Sequence, residues 1–447
     1  MVVSVVSDDR ATSAAVSRRG YLVIGVAVFG YIIAVMHRTS FGVAGIEAAH
    51  RFGANATVLG LFVAVQLVVY AAMQVPVGIA LDRFGSRRLV ATGLLTAAIG
   101  QLGLALVTSV GWALVARVLI GAGDACVFIS VIRLLPAWLP PRRVPLLTQL
   151  VGMLGQLGQV LSVVPLLALL HSRGWVPMFT TAAAVGLFAA LLVFALVRDR
   201  PAGVRDVGPE HAAGFSLRGV LAEPGNWLGF WTHFVTGFTS MVVVMIWGVP
   251  FLVSGEGLSV GEAGALLLIN SATSVLCGPI VGTLTARHPL RRSWIVLGSA
   301  AATAAAWTVV LLSPGRLPFW ALTLWMVVIA AGGPVSLVGF DFARTFNRSH
   351  ELGRASGVVN VGGFLATVIS ILMVSVVLDA VSPAGARTYD LHAYRLAFAT
   401  LALPWLVGVA GVIGSRRRTR TSMAEGGVVV PPLRDALARE RKRRTRP

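Results

Sequence analysis

The apolar stretch ARVLIGAGDACVF, residues 116–128, carries two charges, Arg117 and Asp124. Seven residues turn an α-helix through nearly two full turns. Both side chains therefore leave on nearly the same face, roughly 10 Å apart along the axis, which is long for an ion pair. A carboxylate in the middle of an apolar helix is a candidate for loading and releasing a proton, because burial and a nearby Arg pull its proton affinity in opposite directions. A structural hydrogen bond to a neighbouring helix is the plainer reading of Asp124. Arg stays charged, so Arg117 is a candidate anion contact or an electrostatic bias on Asp124, with snorkelling to the surface as the alternative.

A second stretch, HRTSF at 37–41, adds Arg38 and His37. Arg38 reads as an anion contact, again with snorkelling as the alternative. His37 reads as a secondary proton site, since imidazole titrates near neutrality. Adjacent helical residues diverge by about 100°, so the two cannot both point squarely into one cavity. Gln156, Gln159, His233, Asn270, Ser271 and Asn360 are further polar groups inside apolar runs. Each is a candidate substrate contact, although glue between helices is the commoner role. Asp341, just before FARTFNR, reads as a helix-end or gate ion pair.

The elements that position these residues follow from composition. Of 447 residues, 56% are hydrophobic and only 12% charged, about half the charge of a soluble protein, and the mean hydropathy is +0.82. Apolar runs of roughly 20 residues recur along the chain, which predicts a multi-pass membrane protein. Lipid offers the backbone no partner, so the spans must be helices. Twelve are expected, near 20–46, 57–80, 88–108, 111–135, 145–170, 175–197, 226–253, 262–285, 293–312, 317–341, 355–380 and 394–414. The predicted fold is an all-α membrane protein with twelve transmembrane helices in two six-helix pseudo-symmetric lobes, 20–197 and 226–414. The polar, Pro- and Gly-containing stretch 198–225 reads as a cytoplasmic linker. Residues 1–19 read as a cytoplasmic segment and not a cleavable signal. The basic stretch 415–447 reads as a disordered cytoplasmic tail.

The formal charge of +19 sits in short loops and tails, which points to topology and away from nucleic acid. With the N-terminus inside, fifteen loop arginines fall on the inner side. Five, Arg51, Arg173, Arg316, Arg387 and Arg395, fall outside. Both termini are therefore expected in the cytoplasm of a plasma (inner) membrane. The two cysteines, Cys126 and Cys277, lie in apolar runs and suggest neither a disulfide nor a metal site. With no P-loop, metal cluster or nucleophile elbow, an enzyme is not expected, nor any cofactor beyond a proton gradient.

The loop GIALDRFGSRR, 78–88, is echoed by GTLTARHPLRR, 282–292, at the same place in the second half. Gly78, Arg83, Arg87 and Arg88 recur as Gly282, Arg287, Arg291 and Arg292. Asp82 has become Ala286 and Gly85 has become Pro289. A repeated half with one degenerate copy suits a two-lobed secondary transporter with its site between the lobes. Here the sequence resembles the major facilitator superfamily, whose loop motif Gly78, Asp82, Arg83, Gly85, Arg87 and Arg88 fit. Arg117, Gly121 and Gly123 fit its fourth-span motif. The resemblance implies a loop Asp that pairs with an Arg at the inner end of span four, here Arg133, faces the start of span eleven near Ser356, and latches the outward-facing state.

Arg38, with Arg117 and Asp124, also resembles the anion:cation symporter branch. That implies a span-one Arg on the substrate carboxylate and a span-four acid carrying the proton. His37 departs from the branch, which often has an acid there. The span-five stretch GMLGQLGQV, 152–160, lacks the Gly-Pro pair of drug antiporters. The expected function is proton-coupled symport of a small organic anion by alternating access, by a monomer in the lipid bilayer. The alternatives are a proton-driven drug or metabolite efflux antiporter and a non-transporting membrane sensor.

Overall fold

Twelve apolar helices cross the protein in the computed structural model, which describes residues 18–53, 56–201, 217–383 and 389–430. The spans are Arg18–Phe41, Leu61–Phe84, Ser86–Leu106, Val110–Trp138, Pro141–Arg173, Trp175–Leu196, Pro224–Gly255, Gly261–Arg287, Arg292–Leu312, Phe319–Phe346, Leu352–Val381 and Leu391–Glu425. They are numbered one to twelve below. Each coincides with an apolar run of the sequence, and no strand occurs among the described residues.

Two expected boundaries move. The expected disordered tail, 415–447, begins as helix: Ala402–Glu425 runs unbroken past the apolar run. Its continuation, RRRTRTSMAE, contains no Gly or Pro, so nothing stops the helix until Gly426. The expected linker contains a short helix, Leu217–Ala222. Residues 1–17, 202–216 and 431–447 of the expected segments lie outside the described residues.

Spans one to six and seven to twelve form two lobes. Within the first, span three packs along spans four and six; within the second, span seven packs along spans ten, eleven and twelve. The lobes meet where span two runs beside span eleven and span five beside span eight. The end of the molecule carrying the loops 78–88 and 282–292 is called the loop end.

Several spans break where function is expected. In span four the turn after Asp124 tightens, with Cys126 N–H bonded to Gly123 O and Val127 N–H to Asp124 O. Span ten, its pseudo-symmetric counterpart, tightens after Pro334 in the same way, with Leu337 N–H on Pro334 O and Phe340 N–H on Leu337 O. Such breaks leave backbone carbonyls free for side chains, and they are tolerated in membrane helices where neighbouring groups take them up. Gln149 Nε2 donates to Pro334 O at 2.7 Å, and His233 Nδ1 to Ser336 O at 3.2 Å.

Candidate functional site

Asp124 is the central residue of span four, Val110–Trp138. Its partner is not Arg117 on its own helix but Arg38 on span one. Arg38 Nε donates to Oδ2 at 2.6 Å and Nη2 to Oδ1 at 3.0 Å. This is the two-pronged guanidinium–carboxylate geometry, the strongest form of charge-assisted pair. The Asp124 side chain is 1% exposed, whereas that of Arg38 is 20% exposed. The pair is thus fully buried on its anionic side and partly exposed on its cationic side.

Arg117 goes elsewhere. It is 1% exposed, donates from Nε to Phe62 O at 3.2 Å and lies 5.0 Å from the centre of the Phe41 ring. The expected stripe of two charges facing one space is corrected accordingly: Arg117 turns inward among spans one and two. Its Nη1 has no hydrogen-bond partner among the described residues. His37 also turns away, as the 100° step from Arg38 requires. It is fully buried, with Nε2 donating to Ala182 O of span six at 3.0 Å.

Beneath Arg38 lies a floor built by both lobes. The Tyr70 ring of span two sits 5.0 Å from the Arg38 guanidinium, close enough for a cation–π contact, and packs on Phe364 of span eleven at 4.4 Å. Asn360 of span eleven donates from Nδ2 to Tyr70 OH at 3.2 Å and to Gln74 Oε1 at 2.7 Å. On the other side, Tyr31 packs on Phe128, Phe128 on Phe340 across the lobe boundary, and Phe340 on His233. Asn360 therefore reaches the site from the second lobe, whereas His233 stands behind Phe340 inside that lobe.

Span five shows where the lobes part. Gln149 is buried and bonded to span ten. Gln156, seven residues on and on the same helical face, is exposed, as is Gln159. The polar face of span five meets the second lobe at the loop end and is uncovered farther on. Ser271 of span eight is likewise exposed, seven residues from buried Gly278, which packs against Met153 and Gln149. Asn270, by contrast, stays inside the second lobe, accepting from Ser240 Oγ at 3.1 Å and donating to Met326 O at 3.2 Å. It does not join Arg38 and Asp124.

The loop end is closed by backbone contact and by charge. A Cβ on Gly78 would stand 2.6 Å from Gly353 O, so only glycine allows spans two and eleven to approach this closely. Asp82 Oδ1 accepts from Gly353 N–H at 2.8 Å, and Oδ2 from Arg354 N–H at 3.0 Å and Arg354 Nε at 2.9 Å. Asp82 thus caps the first turn of span eleven from another helix, where the helix dipole also favours an anion. Arg133 bonds to Leu81 O and stands 3.9 Å from Asp82.

Gly85 takes φ +81°, a backbone region that favours glycine, and turns the chain into span three. Arg87 N–H then donates to Asp199 at 3.0 Å and Arg87 Nε to Phe194 O at 2.7 Å, while Arg83 and Arg88 are exposed. In the second lobe, Gly282 packs on Leu146 as Gly78 packs on Gly353, but Ala286 offers span five no carboxylate. Asp341 pairs with Arg344 at 3.1 Å instead.

Tyr70, Gln74 and Arg354 are not among the residues that the sequence marks as candidates. A signal existed for the first two: Gln66, Tyr70, Gln74, Gly78 and Asp82 recur every fourth residue through span two. That spacing drifts around a helix, which is why Gln66 ends against Gly121 of span four while the rest face span eleven. Arg354 reads as one more topological arginine, because its partner Asp82 is 272 residues away. No group of three or more metal-ligating side chains occurs among the described residues.

The model of the Major Facilitator Superfamily matches residues 27–371. An Agrobacterium vitis protein named "Putative tartrate transporter" is 26% identical over 300 residues, 62% of this chain and 66% of that relative. An Arabidopsis thaliana protein named "Probable anion transporter 5" is 27% identical over 197 residues, 43% of this chain and 44% of that one. Among solved structures, the transporter FucP in the outward conformation superposes with a TM-score of 0.67 at 16% identity, covering 90% of this chain and 99% of that one. A bacterial homologue of the lysosomal transporter Spinster, inward-facing, gives 0.59 at 18% identity over 90% and 98%. Both superpositions concern the fold alone.

Proposed function

The chain belongs to the Major Facilitator Superfamily, and from that premise we propose that it is a secondary transporter carrying a small organic anion together with a proton by alternating access. The observation that carries this reading is the fork between Arg38 and Asp124, largely buried yet with its guanidinium partly exposed, above a floor built by both lobes. A carboxylate substrate and the Asp124 carboxylate compete for the same guanidinium. Loading a proton on Asp124 removes the charge that holds Arg38, and the substrate carboxylate then takes the vacated prongs. Neither event proceeds well alone, because a buried guanidinium without a counter-charge is strongly unfavourable. Proton and anion are thereby obliged to travel together.

Tyr70 and Asn360 then join the lobes beneath the substrate, and His233 backs Phe340 from within the second lobe. Release of the Asp82 latch would let the lobes rock and open the loop end. Names of the curated relatives, which refer to tartrate and to anions, agree with this substrate class. The arginine distribution supports an orientation with the loop end in the cytoplasm.

Proteoliposome uptake under an imposed pH gradient tests the reading. Accumulation of a hydroxy dicarboxylate with the proton gradient, abolished in Arg38→Ala, is the expected result. Proton release on addition of amphiphilic cations, with no anion uptake, would overturn it in favour of efflux antiport.

A further inference from the structure

On the outer side of the second lobe, at the loop end, the start of span nine meets the extended end of span twelve. A groove of about 50 Å³ lies between them, several times the space one water needs. Arg416 and Arg420 line one wall, Arg292 and Ser293 the floor, and Leu290 and Met423 the rim, with no acidic residue among the described lining residues. Arg416 Nε donates to Ser293 Oγ at 2.9 Å, and its guanidinium stacks 4.7 Å from the Trp294 ring. Arg292 is 4% exposed and held by the carbonyls of Pro289 and Asp341 and by Thr345 Oγ1. Arg292 and Arg416 are therefore held in place.

Two independent observations identify the occupant. First, Arg416 and Arg420 are four residues apart on one helix, where like charges repel; an anion between them converts that repulsion into attraction. Second, the groove lies at the depth where lipid headgroups sit. Leu396, Leu403, Leu406, Val407 and Ile413 are the exposed large apolar side chains of span twelve, and the arginines begin directly after this apolar band. Trp294, at the start of span nine, is 43% exposed, the place where aromatic residues mark a bilayer interface. A free anion would gain nothing from the apolar rim and the adjoining band, whereas an acyl chain would lie along both.

We propose that this groove binds the phosphate headgroup of an anionic phospholipid, with Arg416 and Arg420 on the phosphate and the acyl chains along spans nine and twelve. Basic pockets at helix ends are suited to such headgroups. The site is separate from the Arg38–Asp124 pair and does not depend on the transport reading.

The test is thermal unfolding of the purified full-length protein with phosphatidylglycerol, phosphatidylcholine or inorganic phosphate added. Phosphatidylglycerol alone is expected to raise the midpoint. Arg416→Gln with Arg420→Gln is expected to remove at least half of that rise, while Arg417→Gln with Arg418→Gln, on the exposed face of the same helix, leaves it intact. Equal loss in both double variants would mean diffuse attraction to a basic surface and would overturn the proposal. An equal rise with inorganic phosphate would mean a free-anion site and would also overturn it. So would the absence of any lipid-specific rise in the wild type, as when the chain's own residues 431–447 fill the groove. If the double variant does not fold, Arg420→Gln alone, read by native mass spectrometry of retained phosphatidylglycerol, decides: unchanged retention overturns the proposal.

Discussion

Arg38 and Asp124 bond through two prongs at 2.6 and 3.0 Å, and each makes the other tolerable inside an apolar protein. Replacing Asp124 with Asn leaves the guanidinium without its counter-charge, at a cost of about 3–5 kcal/mol. Asp124→Asn is expected to unfold at a lower temperature than the wild type and to regain more stability when an anionic substrate is added. It should still exchange substrate but no longer accumulate it with a proton gradient. An unchanged uptake profile across pH in Asp124→Asn would remove this residue from the coupling step. Arg38→Lys keeps the charge and loses the fork. Losing one charge-assisted bond, about 1.5–3 kcal/mol, corresponds to roughly ten- to hundredfold weaker uptake. The residue types were legible in the sequence, because a charge in an apolar helix is conspicuous. The pairing was not: Arg38 and Asp124 are 86 residues apart, and Arg117, a candidate anion contact by its type and place, is turned by the helix packing toward Phe41 and Phe62.

Spans two and eleven touch backbone to backbone, and that approach depends on the absence of a side chain at Gly78. Gly78→Ala places a methyl group against the Gly353 carbonyl, so it is expected to prise the loop end apart without touching the Arg38–Asp124 pair. Spin labels at the exposed ends of spans two and eight should move apart in Gly78→Ala, and Asp82→Asn should do the same more weakly; unchanged distances in both would deny these contacts a latching role. At the opposite end, Glu256 ties the second lobe's turns together, with Oε2 accepting Leu317 N–H at 2.7 Å. Burial is the main influence and pushes its carboxyl above the usual range, against the Leu317 hydrogen bond and the nearby Arg395 and Arg316. A carboxyl raised in this way stabilises the fold most fully at acidic pH, and that stabilisation is lost as pH rises through the raised value. Wild type is therefore expected to gain thermal stability on mild acidification, and Glu256→Gln to gain less.

At the scale of the whole molecule, the twelve spans, the two halves and the loop motif were legible because each is a local pattern: apolar runs of membrane length and a motif repeated in register. The helical start of the tail, residues 415–425, was illegible because charge reads as disorder although arginine is a good helix former. The cross-lobe floor was illegible because Tyr70, Asn360 and Phe340 come from three spans that share no sequence neighbourhood. The Arg38–Asp124 pair has an electrical consequence. Paired, the two residues sum to zero; with Asp124 protonated and a singly charged anion on Arg38, they sum to zero again. Moving one elementary charge through 100 mV costs about 2.3 kcal/mol, yet neither the empty nor the loaded site moves any. Uptake of a monoanion should be indifferent to a potassium-diffusion potential, whereas a dianion carried with one proton should be driven or held back by it. Membrane voltage therefore counts the protons that accompany each substrate.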